Sequence, residues 1–127
     1  MSTADDQTRA SLAREAMSAL TAWGITSEDQ VALLGLPSET RGRMLNRFRA
    51  GMGFPDDPDC LARLENIVAI HHAVHSLHPH SSEAANYWVT TPLFAFGNRT
   101  ALEVMLADGL KGMQQLIHHL NGTGDWY

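Results

Sequence analysis

A chain of 127 residues holds one domain, or two very small ones sharing a core, and a hydrophobic content of 44% argues against disorder. No apolar run approaches the roughly 20 residues needed to span a bilayer. The opening MSTADDQTRA lacks the basic and apolar segments of a secretory signal, and the single Cys60 excludes an internal disulfide. These features predict a cytoplasmic protein without a membrane role. The net charge of −5 is a poor global match to nucleic acid. Arg41, Arg43, Arg47 and Arg49, however, place four of the nine basic residues in a window free of acids. That window carries +4, so the remaining chain carries −9, and a basic face on an acidic molecule is expected.

The spacing predicts an all-α protein of six or seven helices. Residues 7–23 form the first, with Leu12, Ala16, Ala19, Leu20 and Trp23 at three- and four-residue steps and Gly24 as its stop. Thr26 or Ser27 caps a short second helix, whose positive end Glu28 and Asp29 favour. Its inward face holds Val31, Leu34 and Leu33, and Gly35 turns the chain. After Pro37, Ser38 is expected to cap a helix over residues 39–49 that turns Met44, Leu45 and Phe48 to the core. Two short helices about a glycine turn, the second one basic, form a candidate helix-turn-helix. The alternative is a solvated arginine face on a structural helix.

The acidic PDDPD at 55–59 marks the expected boundary between a module over residues 1–54 and a second over residues 55–127. A long central helix over residues 59–77 connects them. Leu61, Leu64, Ile67, Val68, Ile70, Val74 and Leu77 cover about half its circumference, which predicts burial between the modules or a dimer contact. Pro79 ends it, and Ser81 or Ser82 caps the next short helix, which leads to Tyr87 and Trp88. No strand with convincing alternation follows.

Residues 88–120 are the most informative stretch. An irregular aromatic loop carries Pro92, Phe94, Phe96 and Gly97. Thr100 and Glu103 then stand at the spacing of a capping box. Asp108-Gly109 interrupts the helix, and Leu110, Met113, Leu116, Ile117 and Leu120 make one stripe beyond it. Asn121-Gly122 is a helix stop, and the sequence continues into the aromatic Trp126-Tyr127.

Residue types in catalytic patterns are scarce. His71, His75 and His78 stand one turn apart, a spacing that can chelate a metal. They lie in the apolar sector of the long helix, without nearby carboxylates to orient them, so they are read as packed or interface histidines. Cys60 sits among acids, which disfavour a thiolate. Gly51-Met52-Gly53 lacks the lysine of a phosphate loop. No catalytic centre, metal site or cofactor is expected.

The Trp88 before a Pro-containing loop, the Phe and Gly within that loop, the Arg99-Thr100-Ala101-Leu102-Glu103 helix start and the Asp108-Gly109-Leu110 opening resemble the C-terminal toxin-binding domain of the MbcA/ParS/Xre antitoxin family. Two positions depart from the family pattern: Leu93 stands where an Asn is usual and Ala101 where a Pro is usual. Ala costs little at a first helical position. The stretch from Trp23-Gly24-Ile25-Thr26 to Leu33-Leu34-Gly35-Leu36 looks like the Xre-like helix-turn-helix that usually precedes this domain.

The resemblance implies a type II antitoxin acting by occlusion, not an enzyme. Its partners would be a RES-type toxin that degrades NAD and operator DNA, in a homodimer or a toxin–antitoxin hetero-oligomer. It would regulate transcription of its own operon. Thr40, Arg41, Arg43 and Asn46 are the expected base-reading residues, and Arg47 and Arg49 the phosphate contacts. By the same resemblance, Arg99, Asp125, Trp126 and Tyr127 are assigned to the toxin. A stand-alone helix-turn-helix regulator with a C-terminal dimerisation domain is the alternative.

Overall fold

The computed structural model describes residues 3–122, with side chains over residues 7–122. The order is α1 (Thr3–Ala22), α2 (Ser27–Leu33), α3 (Gly42–Arg49), α4 (Pro58–Leu77), α5 (Ser82–Tyr87), β1 (Pro92–Leu93), β2 (Arg99–Thr100) and α6 (Ala101–Gly122). The all-α expectation holds. The chain divides into two compact units, one running up to Val68 and the other from Ala69 onward.

In the first unit, α1 is rich in strong helix formers and buries Ala13, Ala16, Met17, Ala19 and Leu20, with Trp23 just beyond its end. Leu12, expected in the core, is only half-buried. Thr26 caps α2, its hydroxyl accepting from the Asp29 N–H at 3.2 Å. Gly35 ends α2 at φ +72°, which lets the Leu36 N–H reach the Val31 carbonyl (3.1 Å) and its own N–H reach Ala32 (3.2 Å). The same paired closure ends α1 at Gly24 and α3 at Gly51.

Ser38 does not cap a helix. Residues 34–41 form the connection, about twice the three- or four-residue turn of a compact helix-turn-helix. A turn from the Pro37 carbonyl to the Thr40 N–H (3.0 Å) delays α3, which starts at Gly42 after Arg41. Leu45 and Phe48 are its buried residues, and Phe54 packs edge-on against Phe48 at 5.1 Å. Met44, expected in the core, is 37% exposed, because the later start and the register of α3 leave it on the flank.

Pro58 opens α4, where its missing N–H costs nothing. Arg63 bonds Asp59 one turn back (2.9 Å) and reaches the Leu33 carbonyl at the end of α2 (3.3 Å). A cation at that negative helix end is favourable.

In the second unit, Ser81 caps α5 by accepting from the Ala84 N–H at 3.1 Å. Trp88–Thr90 continues as a 3-10 turn. A two-residue antiparallel ladder then pairs Pro92 with Thr100 and Leu93 with Arg99. It is too short to show alternation in the sequence. A second 3-10 turn, Phe94–Phe96, fills the hairpin, and Gly97 and Asn98 reverse the chain with left-handed backbones. Helix α6 bends at Gly109 (φ 61°, ψ −135°), as the interruption in the sequence predicts. Gly112 makes the bend compact: a Cβ there would lie 2.6 Å from the Val104 carbonyl oxygen. The core comprises Ile70, Val74, Ala85, Val89, Ala101, Val104, Met105, Met113, Leu116 and Leu120.

Candidate functional site

The arginine cluster resolves into two roles. At about 100° per residue, Arg43, Asn46 and Arg47 share the side of α3 opposite the buried Leu45 and Phe48, and all three are exposed. Arg41 is exposed at the helix N-cap, and Thr40 is half-buried in the preceding turn. The late start of α3 therefore puts Thr40 and Arg41 ahead of the helix instead of on its first turn. Arg49 lies at the edge of the buried face. It donates to Asn46 Oδ1 and to Gln30 Oε1, the latter at 3.3 Å. Gln30 is itself buried and donates to the Ile25 carbonyl at 2.9 Å. The guanidinium of Arg49 is thus partly committed to joining α2 and α3. Nothing in the sequence singled out Gln30 for that part, because a polar residue reads as solvent-facing until its partners are known.

The second surface lies within the C-terminal unit. The capping box at the start of α6 is complete: the Thr100 N–H donates to Glu103 Oε1 (2.8 Å), and the Glu103 N–H to Thr100 Oγ1 (3.1 Å). This fixes the end of the hairpin against α6. The hairpin and the second half of α6 then enclose an open groove of about 1410 Å³. Leu93, Phe94, Ala95 and Phe96 line one wall, and Lys111, Gln114, Gln115, His118 and His119 the other. Phe96 and His119 meet edge to face at 5.5 Å. Arg99 stands at the groove, its Nε donating to the Phe96 carbonyl (3.2 Å) and its Nη1 3.6 Å from Asp108 Oδ2. Phe94 is 92% exposed. Asp125, Trp126 and Tyr127 lie outside the described residues.

Of the residues assigned to the toxin from the sequence, Arg99 lines this groove, together with Phe94, Lys111, His118 and His119, which the sequence did not single out for that part. The aromatic loop was visible in the sequence, but which of its rings faces outward depends on the hairpin.

The histidine row forms no evident metal centre. His71 and His75 are half-buried with ring centroids 4.4 Å apart, and His72 is exposed. Among the described residues, no group of three or more His, Cys, Asp or Glu side chains is arranged to hold a metal ion. Cys60 is buried, and its thiol is pushed up to about 11 by desolvation, with the hydrogen bond to Asp57 and the neighbouring acids adding to the shift. A thiol so held is a poor nucleophile at neutral pH. Among the described residues, no helix is long and apolar enough to cross a membrane.

Residues 75–122 match the family model described as the antitoxin Xre/MbcA/ParS C-terminal toxin-binding domain. No curated protein and no solved structure matches the chain. The matched span contains the aromatic loop, the capping box, the bent α6 and the whole groove. Such a domain supports an antitoxin role with a toxin as partner. Over residues 75–122 the chain is thus similar to the antitoxin Xre/MbcA/ParS C-terminal toxin-binding domain.

Proposed function

We propose that this chain is the antitoxin of a type II toxin–antitoxin pair, that it occludes a RES-type NAD-degrading toxin, and that it represses its own operon by binding DNA. The observation that carries the reading is the toxin-binding domain over residues 75–122. Occlusion requires complementary surface and no chemistry, in keeping with a deactivated Cys60 thiol. The toxin type comes from the family resemblance and extends the reading to an NAD-degrading partner.

The DNA-binding part rests on α3. Arg43 and Arg47 project together with Asn46, the side-chain types that pair with guanine, phosphate and adenine. A single small module binds DNA weakly, so two copies reading two half-sites are proposed. Arg49 contributes less to DNA than its neighbours because its guanidinium is shared with Gln30 and Asn46.

The test is growth rescue. The adjacent open reading frame is expressed from an inducible promoter, with and without this chain, while cellular NAD is followed. Arrest with loss of NAD, both reversed by this chain, is the expected outcome. A harmless neighbour, or an arrest this chain does not relieve, overturns the antitoxin reading. Arrest without loss of NAD overturns only the RES assignment. Removing residues 124–127 in the rescued strain tests the expected contribution of Asp125, Trp126 and Tyr127.

A further inference from the structure

We infer that the groove between the aromatic hairpin and the second half of α6 is the docking surface for an acidic segment of the toxin, with Phe94 as its apolar anchor. This deepens the antitoxin reading and rests on it. Three observations converge. The groove lies wholly inside the matched toxin-binding span. Its open volume exceeds the roughly 300–1,000 Å³ of small-molecule pockets, so a polypeptide segment suits it better than a metabolite. Its chemistry is also opposite to that of the chain.

In a molecule of net charge −5, Arg99 and Lys111 both line the groove, two imidazoles join them, and no carboxylate lines it among the described residues. The nearest acid, Asp108, partly offsets Arg99 at 3.6 Å and leaves Lys111 as the less compensated cation. A basic, aromatic cleft favours a segment that brings carboxylates to its polar side and aliphatic or aromatic groups to its floor.

Phe94 supplies the second half of the case. A phenyl ring 92% exposed contributes almost nothing to the fold. It sits on a 3-10 turn braced by the β1–β2 ladder and by the Gly97–Phe94 backbone bond of 3.2 Å. A large ring presented on a braced loop loses little freedom on binding, which is the property of an interface anchor. The floor beside it is the Phe96–His119 pair. Rim charges such as Lys111 govern the encounter rate and the salt dependence, and the central ring governs dissociation.

The experiment measures binding of the full chain to the purified product of the adjacent open reading frame, for wild type, Phe94→Ser and Lys111→Glu. Both side chains are exposed, so both variants are expected to melt like the wild type. Phe94→Ser is expected to weaken binding about tenfold or more, chiefly by faster dissociation. Lys111→Glu is expected to slow association, with a deficit that shrinks as salt rises. Wild-type binding that both variants reproduce overturns this inference and leaves the antitoxin reading standing. No binding by the wild type overturns both. One other result also overturns it by naming a different occupant: self-association lost in Phe94→Ser with toxin binding intact, which would place a second copy there.

Discussion

Thr100 and Glu103 satisfy two backbone donors reciprocally at the start of α6, in a place where the hairpin must meet the helix at a set angle. Thr100→Ala is expected to cost about 1 kcal/mol, read as a lower midpoint in urea. Cys60 makes the opposite kind of prediction. Its folded thiol titrates near 11, above its ordinary 9.0, so the folded state favours the neutral form. The stabilisation is complete below pH 9 and is lost as pH rises toward 11, where the unfolded chain ionises first. Native protein at pH 8 is therefore expected to react with a disulfide reagent far more slowly than protein in denaturant. Equal rates would show that the site is open.

At the scale of elements, two glycines in helices test what their neighbours demand. Gly42 opens α3 with ordinary backbone geometry and open space where a Cβ would go. Gly42→Ala is expected to stabilise the protein by about 0.5 kcal/mol through the unfolded chain. Gly112 faces the Val104 carbonyl across the bend in α6. Backbone cannot retreat as a flexible side chain does, so Gly112→Ala is expected to destabilise by about 1–3 kcal/mol. Thermal melts of the two variants should move in opposite directions. If both fall together, the close approach at Gly112 is not the cause of its loss.

For the whole molecule, the charge separation gives the DNA reading its test. Replacing Arg43 and Arg47 together with Ala is expected to weaken binding to the upstream operator region about tenfold or more. It should also flatten the dependence of log affinity on log salt by about one phosphate contact, that of Arg47. Arg49→Ala is expected to act differently, lowering the melting temperature because it releases Gln30, with a smaller effect on the salt slope. Unchanged affinity and slope in the double variant would leave α3 as a structural helix with a solvated arginine face.

Local chemistry in the sequence determined the helices, their glycine stops, the capping box at Thr100 and the break at Gly109, and narrowed two further caps to Thr26 or Ser27 and Ser81 or Ser82, because each depends on residues within about five positions of one another. It also carried the family resemblance over the C-terminal unit, since the loop proline, the aromatic residues and the Thr-to-Glu spacing are contiguous. The start of α3 was misread because Ser38 has the right side chain for a cap, but the turn closed at Thr40 takes the chain elsewhere. Tertiary structure alone decided that Gln30 is buried and holds Arg49, that Met44 is left on the flank, and that Phe94 points outward while Phe96 lines the floor. Those outcomes depend on which surfaces meet across many residues of sequence, and no local propensity encodes that. The groove is the clearest case: its two walls, residues 93–96 and 111–122, meet only because the hairpin reverses the chain and Gly112 lets α6 fold back closely on itself.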